Sequence, residues 1–153
     1  MRQNVLDKTL FLNVDLDIRS RWDLQPLVEA LGKKVMVLYV GRFKRTYQAR
    51  LELFGSHLPR DTHSQRPERF ILDFCKLIQK LPPAAREFWD DAKTREFDVG
   101  IESGKPHKFY WFDLSPKALQ AAVEVNAQIA VTIYGPMKKV KASSKTRKAS
   151  SSK

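Results

Sequence analysis

The chain predicts an α+β fold, a mixed or mainly antiparallel sheet of about six strands with helices packed on one face. Three stretches carry that expectation. Residues 9–19 alternate apolar and polar side chains; residues 35–54 place an apolar run and an alternating run on either side of a short basic turn; residues 96–136 read strand, hairpin, strand, capped helix, strand. With amphipathic helical stripes between them, the element order is β-α-β-β-α-α-β-β-α-β.

In the first strand, Leu10, Leu12, Val14, Leu16 and Ile18 alternate with Phe11, Asn13, Asp15, Asp17 and Arg19, and a slip of one residue would bury the charges. Ser20 or Asp23 is placed to cap a helix whose stripe is Leu24, Leu27, Val28 and Leu31, with Pro26 in its first turn and Gly32 as its stop. Residues 35–40 are continuously apolar, which predicts a central strand covered on both faces. After the turn at residues 41–45, Tyr47, Ala49, Leu51 and Leu53 point inward and Gln48, Arg50 and Glu52 outward, so a hairpin is expected.

Residues 55–66 are polar and read as a loop. Pro67 opens a helix with Phe70, Ile71, Phe74, Leu77, Ile78 and Leu81 on one broad face; Pro82 and Pro83 break it, and Pro83 starts another that buries Phe88, with Trp89 or Ala92 as further candidates. If these two helices act as one crossover, the leading elements make a split β-α-β unit of ferredoxin-like type. Phe97, Val99 and Ile101 then face one way, with Asp98 and Glu102 opposite. Turn residues Gly104, Lys105 and Pro106 follow, then the aromatic run Phe109, Tyr110, Trp111, Phe112 as a further strand. Ser115 and Pro116 cap and open a helix that buries Leu119, Ala122 and Val123, with Leu114 stapled onto Leu119. Asn126 ends it, and Ile129, Val131 and Ile133 return to the core.

The 153 residues, 42% of them hydrophobic, suffice for one globular domain over residues 1–136. Residues 137–153 hold six Lys and one Arg and no acid, a charge of +7 out of the total +11, so the preceding chain carries +4. That segment has too little apolar surface to order itself and is expected to be a disordered basic tail. The first eight residues lack a signal-peptide core, and no apolar run reaches the ~20 residues of a membrane span. A lone Cys75 forms no internal disulfide or metal cage. A cytoplasmic protein without a membrane span is expected.

The reactive side chains are scattered. His57, His63 and His107 fall in loops without a nucleophile beside them, Cys75 sits on the apolar side of a helix, and no glycine loop cradles a phosphate. No catalytic, cofactor-binding or metal-binding set is predicted. The outward carboxylates Asp15, Asp17, Asp98 and Glu102 form an acidic cluster only if their strands are neighbours; otherwise they are the polar side of a solvated strand. Arg42, Lys44 and Arg45, interleaved with Phe43 and Tyr47, suit phosphate contact at a hairpin tip, as do Lys138, Lys139 and Lys141 in the tail. An ordinary solvated turn has the same composition. Phe109, Tyr110, Trp111 and Phe112 put aromatics on both faces of one strand, either as a protein-contact patch or buried under the middle helices.

Three segments together resemble a known family: Phe97, Asp98, Val99, Gly100, Ile101; then Phe112, Asp113, Leu114, Ser115, Pro116 with Leu119; then Ile129 to Tyr134. The family consists of small uncharacterised bacterial proteins, a domain of unknown function. Its members end in a strand, a Leu-Ser-Pro helix and an Ile-x-Ile-x-x-Tyr-like strand, the last of which reads Ile129-x-x-x-Ile133-Tyr134 here. The resemblance implies a shared fold and an immunity-like role against secreted toxins for some members. Two functions follow: a non-catalytic cytoplasmic module that contacts a protein partner, and a nucleic-acid accessory protein that grips phosphates through the tail and the basic hairpin. An enzyme ranks third, and it would be revived by an acidic pocket joining Asp15, Asp17 and Asp98.

Overall fold

Alternation in the first strand is realised from Asn13 on: Val14, Leu16 and Ile18 of β1 (Leu10–Ser20) are buried against helices, while Asn13, Asp15, Asp17 and Arg19 share the opposite face. Before it the expectation is corrected: an irregularity in register between Phe11 and Asn13 swaps the faces, so Phe11, and not Leu10 or Leu12, packs against the core, its ring 5.7 Å from that of Phe70. The structure, a computed structural model, describes residues 9–55, 67–104 and 110–135. After β1 come α1 (Gln25–Leu31), a 3-10 turn, and the hairpin of β2 (Val35–Phe43) and β3 (Thr46–Leu53). Helices α2 (Pro67–Gln79) and α3 (Pro83–Asp90) lead into β4 (Thr94–Glu102), and α4 (Pro116–Glu124) into β5 (Gln128–Tyr134). The expected tail at 137–153, the loop histidines and Phe109 lie outside the described residues.

The strands form one five-stranded mixed sheet in the order β2-β3-β1-β4-β5. Neighbours are antiparallel except β4 and β5, which are parallel. The first four strands have the split β-α-β arrangement, with α2 and α3 serving as one crossover, and α4 carries the chain to the added fifth strand. Helix α2 packs on β1, α1 on β2 and α4 on β5, with α1 against α3 and α2 against α4. One core results, including Leu27, Phe74, Trp89, Phe97 and Val125; the Phe74 and Phe97 rings stack at 5.8 Å.

Four further expectations are corrected. Among the described residues the sheet has five strands, not about six, and the element order loses one strand: residues 110–112 are not in a strand. Both sides of β4 are already taken, by β1 and by β5, so no hairpin partner fits beside it. The apolar run of β2 is an edge strand, not a central one, with Val37, Leu38 and Tyr39 exposed. On α4 the buried face is Ala118 and Ala122, with Val125 just beyond, while Leu119 and Val123 face solvent. Small alanines let α4 lie close to the sheet and to α2, and the two larger side chains are turned out. Finally, Val131 and Ile133 do not return to the core, because β5 is the other edge of the sheet.

Candidate functional site

Among the described residues no helix lies on the second face of the sheet, and cross-strand register decides what is displayed there. Asp15 stands opposite Glu52 on β3 and Asp98 on β4, so three carboxylates from three adjacent strands share one row. In the next row Asp17 lies between Arg50 and Glu96. One row the other way, Asn13 faces Gly100. A Cβ at Gly100 would stand 2.6 Å from Asn13 Oδ1, so the glycine keeps room for that amide. The Asn13 amide in turn donates to Asp15 (2.8 Å) and Glu52 (2.6 Å).

Asp15 and Glu52 are both buried. Burial, then the charge of Glu52 and a hydrogen bond shared with it, push the Asp15 carboxyl up to about 7 against a small opposing pull from Arg50. Near neutral pH the Asp15 carboxyl is therefore protonated for part of the time. Asp17 is buried with full satisfaction: Arg50 donates from Nη2 (2.7 Å) and Nε (3.1 Å), and Gln48 donates at 2.9 and 3.1 Å. Its hydrogen bond with Asp17 holds the Arg50 guanidinium above its usual range. Toward the β5 edge, Thr132 donates to Asp98 (2.7 Å) and Gln128 to Glu96 (2.5 Å).

This arrangement shows what the face can do. The carboxylates are held by neighbouring donors, and among the described residues no group of three or more His, Cys, Asp or Glu is placed to hold a metal. Proton exchange at Asp15 and a negative field are chemistry that the face can supply. Elsewhere, the buried Cys75 thiol is pushed up to about 11 by burial, which suppresses its reactivity at neutral pH.

The predicted phosphate contacts are divided. Arg42, Lys44 and Arg45 are exposed at the β2–β3 turn, with the Lys44 ammonium 5.6 Å from the Phe43 ring. Lys138, Lys139 and Lys141 lie outside the described residues. Folding adds a second basic-aromatic pair at that end of the sheet. Tyr47 is paired with Arg42 on one side and Ser20 on the other, which brings in Arg21, whose guanidinium sits 5.6 Å from the exposed Trp22 ring.

Of the aromatic run, Tyr110 and Phe112 are half-buried against the core with ring centroids 6.1 Å apart, and burial raises the Tyr110 hydroxyl. Trp111 faces solvent, 71% exposed. Sequence reasoning does not assemble Asn13, Glu52 and Gly100 into one site. The outward placement of Asn13 and Glu52 is legible from alternation, but which strands stand beside β1 is not.

Fold and face together define the class: an α+β protein whose split β-α-β core carries, among the described residues, no second layer on its carboxylate-bearing sheet face. No family model, no curated protein and no solved structure matches the chain.

Proposed function

We propose that this chain is a non-catalytic protein-binding module, acting in the cytoplasm, that takes a cationic protein partner on the open face of its sheet. One observation carries the reading. On a chain of net charge +11, that face gathers Asp15, Asp17, Glu52, Glu96, Asp98 and Glu102 against Arg19 and Arg50. A surface that opposes the overall charge of its own chain is suited to electrostatic complementarity, which steers encounter and rejects partners of the wrong sign. The family resemblance in residues 97–101, 112–119 and 129–134 adds an immunity-like version of the same proposal, with a secreted toxin as the cationic partner.

Glu96, Asp98 and Glu102 are the half-exposed members, so they are the ones to neutralise. Wild-type chain and the Glu96→Gln, Asp98→Asn, Glu102→Gln variant serve as baits in the native cell. The expected result is one stoichiometric basic protein retained by the wild type, and released from the variant and at raised salt. Retention of the same protein by the variant, or recovery of ribosomes and nucleoid alone, would sink the proposal. Trp111→Ala in the same assay tests whether the contact extends to the aromatic run.

A second reading has its own observation. Arg21 with Trp22 and Phe43 with Lys44 converge at one end of the sheet, beside Arg42 and Arg45, and basic residues with exposed aromatics suit a single-stranded nucleic acid. The acidic face limits such a strand to that end, because a phosphate backbone laid along β1 would meet Asp15 and Asp17.

A further inference from the structure

We infer that β5 is a self-association edge, and that two copies of this chain pair their β5 strands antiparallel about a two-fold axis at Val131. The surface is separate from the acidic face. Ser103 donates its backbone N–H to the Tyr134 carbonyl (2.8 Å), so Tyr134 and, by alternation, Thr132, Ala130 and Gln128 turn their peptide groups toward β4. Ile129, Val131 and Ile133 therefore present N–H and C=O to the free edge.

A two-fold axis at Val131 puts those outward groups in register. Val131 meets its own copy and Ile129 meets Ile133, all as hydrogen-bonded pairs. Their side chains lie on the helix side of the sheet, where apolar β-branched pairs are favourable. On α4, which packs on β5, Leu119 and Val123 are exposed as well. Val123 is 70% and Ile133 69% exposed, with Val131 at 50%. Among the described residues helix and strand thus offer one exposed apolar strip.

The occupant follows from charge and from comparison with the other edge. Strand β5 reads Gln-Ile-Ala-Val-Thr-Ile-Tyr, with no charge and no proline, so a second copy pairs with it without like-charge contact inside the strand. Strand β2 is also an edge, yet it carries an irregular register between Val37 and Tyr39, a Gly41, and Arg42 at its end. Those are the devices by which sheets discourage edge pairing. Among the described residues one edge is protected and the other is open. Pairing at β5 would join two five-stranded sheets into one, with all helices on one side and both acidic faces on the other.

Sedimentation equilibrium of the full chain tests this directly. The expected species is a dimer of the 17.7 kDa chain. It should strengthen with added salt, because screening relieves repulsion between two cationic chains; capture of a cationic partner on the acidic face should weaken instead. Ile133→Lys should lower the association constant by roughly 100-fold or more, with the circular dichroism spectrum unchanged. Val131→Cys places two thiols on residues whose Cα atoms are about 5.5 Å apart, so a short bis-maleimide should link the copies, while buried Cys75 leaves the wild type unlinked. A monomer at every concentration and salt would overturn the inference. So would a dimer that survives Ile133→Lys and is not linked through Val131→Cys.

Discussion

Asp15 should give the clearest signature in solution. Its carboxyl titrates near 7 in the folded chain, against 3.8 when unperturbed, so the native state binds that proton more tightly than the unfolded state does. The sign follows from linkage: the stabilisation is complete below about pH 4 and is lost as pH rises through about 7. The unfolding free energy from urea titrations should therefore fall between pH 5 and pH 8, by an amount on the order of 1–3 kcal/mol. Asp15→Asn keeps a donor for Glu52 and removes the titration, so its profile should be flatter over that interval. An unchanged slope in the variant would move the effect to another group.

At the scale of elements, α4 is set by its first turn. Ser115 Oγ accepts from the Ala118 N–H (3.2 Å) and donates to Glu68 on α2 (2.6 Å), so one side chain caps a helix and ties it to its neighbour. Ser115→Ala should cost about 1–2 kcal/mol, with faster amide exchange confined to the start of α4. At the other end of α4, the Trp89 indole donates to the Val125 carbonyl (2.9 Å) and Arg95 to Asn126 (2.9 Å), which holds the turn into β5 against α3. The position of the exposed edge thus depends on contacts made some 30 to 40 residues earlier in the chain.

For the whole molecule, charge is partitioned. Residues 137–153 hold +7 of the total +11, and the described sheet carries its acids on one face. If polyanion binding is sequence-independent, deletion from residue 137 onward should make log K against log salt shallower for single-stranded nucleic acid, by up to ~0.7 for each phosphate that is no longer neutralised. A further drop in affinity in Trp22→Ala and Phe43→Ala would show that the basic end of the sheet stacks bases as well. An unaltered slope after deletion would exclude the tail from any such role.

Residues 13–18 and 97–101 announce their strands through strict alternation, and Ser115, Pro116 and Asn126 mark the limits of α4, whereas the bulge that turns Phe11 inward leaves no such local signal. These signals are local, since each depends on side chains within a turn or two of one another. Lateral position is a different kind of information. The apolar runs of β2 and β5 look like central strands, yet both are edges, because hydropathy records what a strand can bury and not who stands beside it. The row of Glu52, Asp15 and Asp98 has the same origin: its members are far apart along the chain, and long-range pairing of β1 with both β3 and β4 brings them together.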